Sequence, residues 1–139
     1  MSAYTTVNVV TYETAARAVA LTLEEGEKLG LKLCATVVDP SLGLVAYGRA
    51  DGMTPHSVET SKRKAQTAAS TRKPSAAILP EMATILELGS GGILTSIAGG
   101  VPLSFDGEHV GGLGVAGGKP AEDAQVAQKV LAHLGADSQ

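Results

Sequence analysis

The chain has 139 residues, a formal net charge of -3 and 44% hydrophobic residues, but only 3% aromatic residues. This length predicts one domain over 1–139 that buries about two-thirds of its unfolded surface. The negative charge argues against non-specific nucleic-acid binding, which needs a basic surface. The single cysteine, Cys34, cannot form an internal disulfide and is expected to be a buried structural thiol. No apolar run reaches the membrane-spanning length of about 18 residues, so we expect a cytoplasmic protein that contacts neither membrane nor nucleic acid.

The first third of the chain predicts a helix followed by a β-hairpin. Apolar residues keep helical spacing over 11–30, with a threonine suited to cap the start and a glycine suited to the end. The apolar runs 31–38 and 44–48 flank the turn sequence Asp-Pro-Ser-Leu-Gly. They predict two antiparallel strands joined by that turn.

The segment 49–74 carries much of the chemistry, with eight Arg, Lys, Asp or Glu residues, a histidine and many hydroxyls. Thr54 and Pro55 are typical of a helix start, because threonine can cap free amides and proline suits the first helical position. The residue before Pro74 is pushed out of the helical region, so the helix is predicted to end near Arg72. A helix of about five turns results.

Helical spacing gives this central helix three faces. One face is small and apolar, which predicts a close approach to a neighbouring element through Val58, Ala65, Ala68 and Ala69. The opposite face holds His56, Glu59, Arg63 and Ser70. A third stripe consists of hydroxyls around one lysine: Ser57, Thr60, Lys64, Thr67 and Thr71. Such a stripe suits a pocket or an oligomer contact, although an ordinary solvated face explains the pattern equally well.

The second half of the chain predicts two helices and three strands. The helices fall at 75–88, interrupted by a proline, and at Pro120–Leu134. Strands are predicted at 93–98, 101–105 and 109–115, and an Asp-Gly pair joins the last two as a hairpin. The predicted order is α-β-β-α-α-β-β-β-α. It corresponds to an α+β fold with a five-stranded, mainly antiparallel sheet flanked by helices.

Two motifs that often carry chemistry are weak in this sequence. Gly112, Gly114 and Gly117 match the G-x-G-x-x-G string, but a dinucleotide site needs a further strand, and only one helix follows. A tightly packed strand that ends in a glycine turn explains the string better. The histidines are scattered and no cysteine pair exists, so a closed zinc site is not expected. His109 and His133 are both expected in solvent.

His56 is the strongest histidine candidate because it lies in the first predicted turn of the central helix, on the same face as Glu59. A neutral imidazole there could ligate iron or act as a base, and an exposed histidine at a helix start is the plain alternative. The same helix concentrates the cations Lys62, Arg63, Lys64, Arg72 and Lys73. They would suit the carboxylates of a ligand, while pairing with nearby acids explains them equally well.

Two segments of the chain, 37–75 and 98–118, resemble the GlcG/HbpS-like family of haem-binding or haem-degrading domains, which includes the C-terminal domain of the PduO cobalamin adenosyltransferase. The resemblance rests on the Val-Val-Asp turn, the Ser57…Lys64-Ala65…Thr67-Ala68 helix pattern and the Gly-Gly-Val-Pro turn. It implies a five-stranded profilin- or PAS-like sheet, homo-oligomers, and binding of haem or a related tetrapyrrole by some members.

The sequence departs from the family pattern at two places. In secreted haem-binding members, acidic residues on the central helix bind iron, whereas here Glu59 is followed one turn later by Lys62. Some members use a histidine on the first helix, and 11–30 contains none, so His56 would substitute. The ligand-binding residues that the shared motifs and the cationic set imply are Asp51, Ser57, Thr67, Arg72, Gly99 and Gly100.

Three functions remain open from the sequence. The resemblance favours haem or a related tetrapyrrole, with His56 as the axial ligand and Lys64 and Arg72 holding the propionates. The second is a cofactor-free isomerase or lyase acting on a small carboxylate or oxygenated catabolite, in which Lys64 stabilises an oxyanion and His56 or Glu59 carries the proton. The third is a non-catalytic, oligomeric accessory protein whose hydroxyl stripe is an interface.

Overall fold

The structure, a computed structural model, describes residues 1–139 and contains four α-helices and four β-strands. A 3-10 turn at Ser75–Ala77 lies between the second and third helices. None of the helices has the length and apolar character needed to cross a membrane. In chain order the elements are α1 Tyr12–Lys28, β1 Cys34–Val38, β2 Leu44–Arg49, α2 Ser57–Thr71, α3 Pro80–Gly89, β3 Gly100–Phe105, β4 Glu108–Ala116 and α4 Pro120–Leu134.

The four strands form one antiparallel sheet in the order β2-β1-β4-β3. The two hairpins predicted from the turn sequences are both present, and β1 of the first pairs with β4 of the second. All five residues of β1 are buried, whereas β2 lies at an edge of the sheet and is partly exposed. The α+β class predicted from the sequence is therefore confirmed.

The predicted fifth strand at 93–98 does not form, so the prediction of a five-stranded sheet is wrong. Backbone groups of this segment bond to side chains instead of a neighbouring strand. The Thr95 amide donates to the Thr67 hydroxyl at 2.9 Å, and the Ile97 carbonyl accepts from the Ser75 hydroxyl at 2.6 Å. Ile93 and Ile97 remain exposed, so apolar content alone did not make this segment a strand.

The sheet separates two layers of helix. α1 and α4 cover one face, where their alanines and valines join Ala35, Val37, Leu113 and Val115 in the main apolar core. α2 covers the other face through Ala65 and Ala69 and the residues of β1 and β4 that alternate with the first set. The core is built from small aliphatic side chains because the sequence supplies almost no aromatic ones.

The glycines of β4 allow α2 to press directly on the sheet. A Cβ atom at Gly112 would collide with the Ala65 carbonyl, and one at Gly114 would collide with the Ser61 carbonyl. The G-x-G-x-x-G string therefore reflects close backbone packing, which the sequence analysis favoured over a dinucleotide site.

Helix α2 begins at Ser57, two residues later than predicted. The Thr54 hydroxyl bonds to the Ser57 hydroxyl at 2.6 Å and caps no backbone amide. The Ser57 amide donates instead to the Thr54 carbonyl, which makes a turn before the helix. The predicted end of the helix is confirmed, because Arg72 adopts a left-handed conformation with φ 59° and its amide donates to the Ala68 carbonyl.

Candidate functional site

Helix α2 lies between two cavities that differ in chemistry. On one side is a cavity of about 260 Å3, here called the polar cavity, between the start of α2 and the loop that enters α4. Its lining consists mostly of polar side chains and glycines: His56, Ser57, Thr60, Lys64, Ile97, Ala116, Gly117, Gly118, Pro120 and Asp123.

A buried ion pair forms part of the wall of the polar cavity. The Lys64 ammonium lies 2.9 Å from Asp123 Oδ2, and the two side chains are only 1% and 2% exposed. The ammonium also donates to the Val115 carbonyl at 2.8 Å, and Asp123 Oδ1 accepts the Gly118 amide at 2.9 Å. Burial lowers the pKa of Lys64 and raises the pKa of Asp123, while the attraction between the two charges opposes both shifts.

Two glycines make room for this ion pair. Gly99 has φ +127°, and a Cβ atom there would lie 2.8 Å from Lys64 Nζ and 3.0 Å from the Asp123 Cβ. A Cβ atom at Gly100 would meet the Lys64 carbonyl, and the Gly100 amide donates to the Ser75 hydroxyl at 2.9 Å. Both glycines were predicted to bind a ligand, and both pack closely against Lys64.

On the other side of α2 is a larger opening of about 540 Å3, here called the apolar groove. It exists because α2 lies over β1, β4 and β3 and leaves the same face of the edge strand β2 largely uncovered. Its lining is a wall of aliphatic side chains with a phenol and a few polar groups: Thr36, Val38, Leu42, Leu44, Tyr47, Val58, Glu59, Lys62 and Gln66. Partial burial raises the pKa of Tyr47, which favours the protonated phenol in the absence of a partner.

The structure divides the predicted site residues between these places. Lys64, His56 and Ser57 share the polar cavity, whereas Glu59 lines the apolar groove. Thr67 is fully buried, and its hydroxyl donates to the Arg63 carbonyl at 2.7 Å and holds the 93–98 segment.

Two predicted ligand residues lie away from both cavities. Arg72 is 16 residues beyond His56, about 24 Å along a helix, and is exposed. Asp51 is exposed in the turn after β2, beside a small opening with Arg49. The predicted set therefore does not form one pocket within a single chain.

Two residues of these cavities were missed by sequence reasoning. Asp123 falls at the helical spacing of the inward residues Val126, Ala127 and Val130, which was the signal that its carboxylate is buried. Tyr47 carries no such signal, because only the pairing of Tyr47 with Thr36 on β1 turns the phenol toward α2.

The environments of the other two histidines differ. His109 is not in solvent as predicted: its ring is partly buried, Nε2 lies 2.8 Å from the Ala69 carbonyl, and Nδ1 is buried without a partner. Burial is the main cause that lowers the pKa of His109. His133 is about half exposed, as predicted, and lies 3.1 Å from Glu25.

The thiol of Cys34 is buried, as predicted. Its sulfur donates to the Ser57 carbonyl at 3.3 Å, and burial raises its pKa. These features are typical of an unreactive structural thiol. Nowhere in the structure do three His, Cys, Asp or Glu side chains come together as a metal-binding group.

Comparison with known proteins identifies the family. The family model described as "Haem degrading protein HbpS-like" matches residues 10–132. The chain belongs to this family. No curated protein matches the sequence significantly.

Solved structures agree with this assignment. A crystal structure of HbpS is 33% identical, covers 96% of this chain and 95% of its own, and superposes with a TM-score of 0.85. A double mutant of HbpS from Streptomyces reticuli, with two glutamates changed to aspartate, is 32% identical over 97% and 93% of the two chains, with a TM-score of 0.85. A complex of PduOC with haem shares the fold with a TM-score of 0.85, at 23% identity over 94% and 99% of the chains.

Proposed function

We propose that this protein binds haem or a related tetrapyrrole in the apolar groove between β2 and α2. Membership of the HbpS-like family supports a haem ligand. The groove of about 540 Å3 lies within the range of about 300–1,000 Å3 that is usual for small-molecule sites. The polar cavity is about half that volume and is lined mainly by polar groups, so it suits a macrocycle less well.

The residues of the apolar groove fit the chemical needs of a haem. The aliphatic wall of Val38, Leu44 and Val58 suits the apolar face of a macrocycle. The Tyr47 phenol is an oxygen donor of the kind that ligates haem iron in some proteins. Burial raises the pKa of this phenol, and a bound iron would lower it again by favouring the deprotonated form. Lys62 at the same groove supplies a cation for a propionate. When bound, the haem would supply the redox chemistry of its iron.

The iron ligand and the propionate contact proposed here differ from those predicted from the sequence. His56 faces the polar cavity on the other side of α2, so Tyr47 takes the role of axial ligand. The Lys64 ammonium is bonded to Asp123 and Val115, so Lys62 takes the propionate.

Titration of the purified protein with haem, followed by the Soret band, tests the proposal. We expect a saturable red shift of the band, with a changed spectrum and about tenfold or more weaker binding in Tyr47→Phe. Tyr4→Phe, at an exposed tyrosine, is the matched control and is expected to bind as the native chain does. No Soret shift with the native protein, or equal spectra for Tyr47→Phe and the native chain, would reject the groove as the haem site.

We also propose that the protein forms a homo-oligomer through α3. None of the ten residues of α3 is buried, and Ile85 and Leu88 are 62% and 78% exposed. Met82 is also exposed on the helix, and Leu79, Ile93 and Ile97 are exposed apolar residues on either side of it. A self-complementary apolar surface is the usual basis of a symmetric dimer contact.

Light scattering coupled to size-exclusion chromatography tests the oligomer. Ile85→Glu is expected to shift the native oligomer toward the monomer, because a charge in an apolar interface loses its hydration. Ser41→Glu, in the exposed β1–β2 turn, adds the same charge elsewhere and is the control. A monomeric native protein would contradict this proposal. The cytoplasmic location stays a prediction of the sequence, which cell fractionation tests.

A further inference from the structure

The Lys64 ammonium has bonding capacity that the protein does not use. A protonated lysine carries three N–H donors. Two of them are taken by the Val115 carbonyl and by Asp123 Oδ2, and the third has no protein partner. The side chain is 1% exposed and forms part of the wall of the polar cavity. A buried donor without a partner costs free energy, which a bound acceptor would recover.

We propose that the polar cavity binds a small carboxylate, held by the third N–H of Lys64 and by the polar groups at the start of α2. This site does not depend on haem binding, because it lies on the opposite side of α2 from the apolar groove. A negative result for haem would therefore leave it intact.

The Asp123 carboxylate does not prevent an anion from binding in the cavity. Both oxygens of Asp123 are engaged, Oδ2 by Lys64 and Oδ1 by the Gly118 amide. The charges of Lys64 and Asp123 offset each other within the pair. At the start of α4, Glu122 accepts the Lys119 amide at 2.9 Å, so a carboxylate already occupies that helix end. α2 begins at Ser57, which lines the cavity, and the N-terminal end of this helix favours a negative ligand.

The mouth of the cavity supplies further polar contacts. The imidazole of His56 is exposed there and makes no hydrogen bond within the protein. The hydroxyl of Thr60 donates to the His56 carbonyl at 3.2 Å, and the hydroxyl of Ser57 bonds to Thr54, so each hydroxyl can make one more polar contact. Three further polar groups thus line the same cavity as Lys64.

The volume of the cavity limits the size of the ligand. At about 260 Å3 it lies below the range of about 300–1,000 Å3 typical of drug-sized ligands. Gly117 and Gly118 form part of the wall without side chains, so a compact molecule can approach the backbone. A carboxylate with few heavy atoms matches this space better than a nucleotide or a long-chain acid does.

The experiment uses the full-length protein and three probes of similar size: acetate, its neutral isostere acetamide, and inorganic phosphate. Binding is followed by chemical-shift changes of backbone amides in NMR titrations. Lys64→Met is not the primary variant, because it leaves Asp123 buried without a partner. Thr60→Val and His56→Ala alter only the mouth of the cavity. Ser70→Ala, at an exposed residue ten positions beyond Thr60 on α2, is the matched control.

We expect acetate to bind saturably with a Kd below about 10 mM and to shift the amides of the α2 start and of the 116–118 loop. Acetamide is expected to bind about tenfold or more weakly, since it lacks the charge-assisted hydrogen bond. Thr60→Val and His56→Ala are each expected to weaken acetate binding at least about threefold, which corresponds to part of one hydrogen bond, and Ser70→Ala is expected to have no effect.

Three results would overturn the proposal. The first is no saturable acetate binding, and the second is acetate binding that is equal in all four proteins. The third is phosphate binding as tight as that of acetate, which would indicate a general oxoanion site rather than a carboxylate site.

Discussion

The two sides of α2 show two ways in which a small domain builds a site. The polar cavity is lined by a buried ion pair whose three polar contacts tie α2, β4 and α4 together. The apolar groove lies along the edge strand β2, and side chains such as Tyr47 and Lys62 point into it without holding other elements in place. Substitution of the ion pair should therefore disturb the fold, whereas substitutions in the apolar groove should change only what is bound.

The largest expected effect is the loss of Lys64. Lys64→Met leaves the Asp123 carboxylate buried without its partner, which is expected to cost about 3–5 kcal/mol of unfolding free energy. Chemical denaturation followed by circular dichroism measures this loss. The double variant Lys64→Met with Asp123→Asn should recover most of it, because the asparagine oxygen can still accept the Gly118 amide. A Lys64→Met protein as stable as the native one would show that the pair does not support the fold.

A somewhat smaller loss is expected where α2 meets β4. In Gly114→Ala the new methyl group would collide with the Ser61 carbonyl, so the helix must shift, at an expected cost of about 1–3 kcal/mol. Thermal unfolding measures it. Gly89→Ala, at a glycine with open space around it, is the control and should not lower the melting temperature. Equal melting temperatures for the two variants would contradict the close packing described above.

A modest pH effect is expected from His109. The pKa of His109 is lower in the folded protein than the ordinary value of 6.5, because burial disfavours the charged ring. The folded state then binds fewer protons than the unfolded state, so this contribution to stability is complete above pH 6.5 and is lost as the pH falls below it.

Denaturation midpoints measured at a series of pH values test this effect of His109. His109→Gln, whose amide can still donate to the Ala69 carbonyl, should remove part of the slope below pH 6.5. An unchanged slope in that variant would rule out His109 as its source.

The smallest effect is expected in the apolar groove. Lys62→Met is expected to change the unfolding free energy by less than about 0.5 kcal/mol, because Lys62 is exposed and makes no ion pair within the chain. The same variant should weaken haem binding, since a propionate would lose its cation. Calorimetry measures the change in stability, and Soret titration measures the change in haem affinity. A large loss of stability would remove the contrast between the groove and the polar cavity.

Sequence reasoning reached the fold class, both hairpins and the bounds of α4, because turn chemistry and helical spacing are local signals. It failed at 93–98, where hydroxyls from Thr67 and Ser75 take the backbone groups that a strand would have used. No local pattern reveals that competition, because those hydroxyls come from more than 20 residues away in the chain.

The candidate site was predictable only in part. Lys64 and His56 were identified on α2, and they do share a cavity. The spacing of α2 could not reveal that Glu59 faces a different opening, because the sheet order decides which strand lies uncovered beside the helix. For the same reason, Tyr47 became a candidate only when the register of β1 and β2 placed it opposite Thr36.

A crystal structure of the haem-loaded protein is the most direct test of the division between the two sides of α2. We predict a macrocycle against Val38, Leu44 and Val58, with its iron bonded to the Tyr47 phenolic oxygen and Lys64 still paired with Asp123. An iron bonded to His56, or a haem held at a site outside the apolar groove, would contradict it.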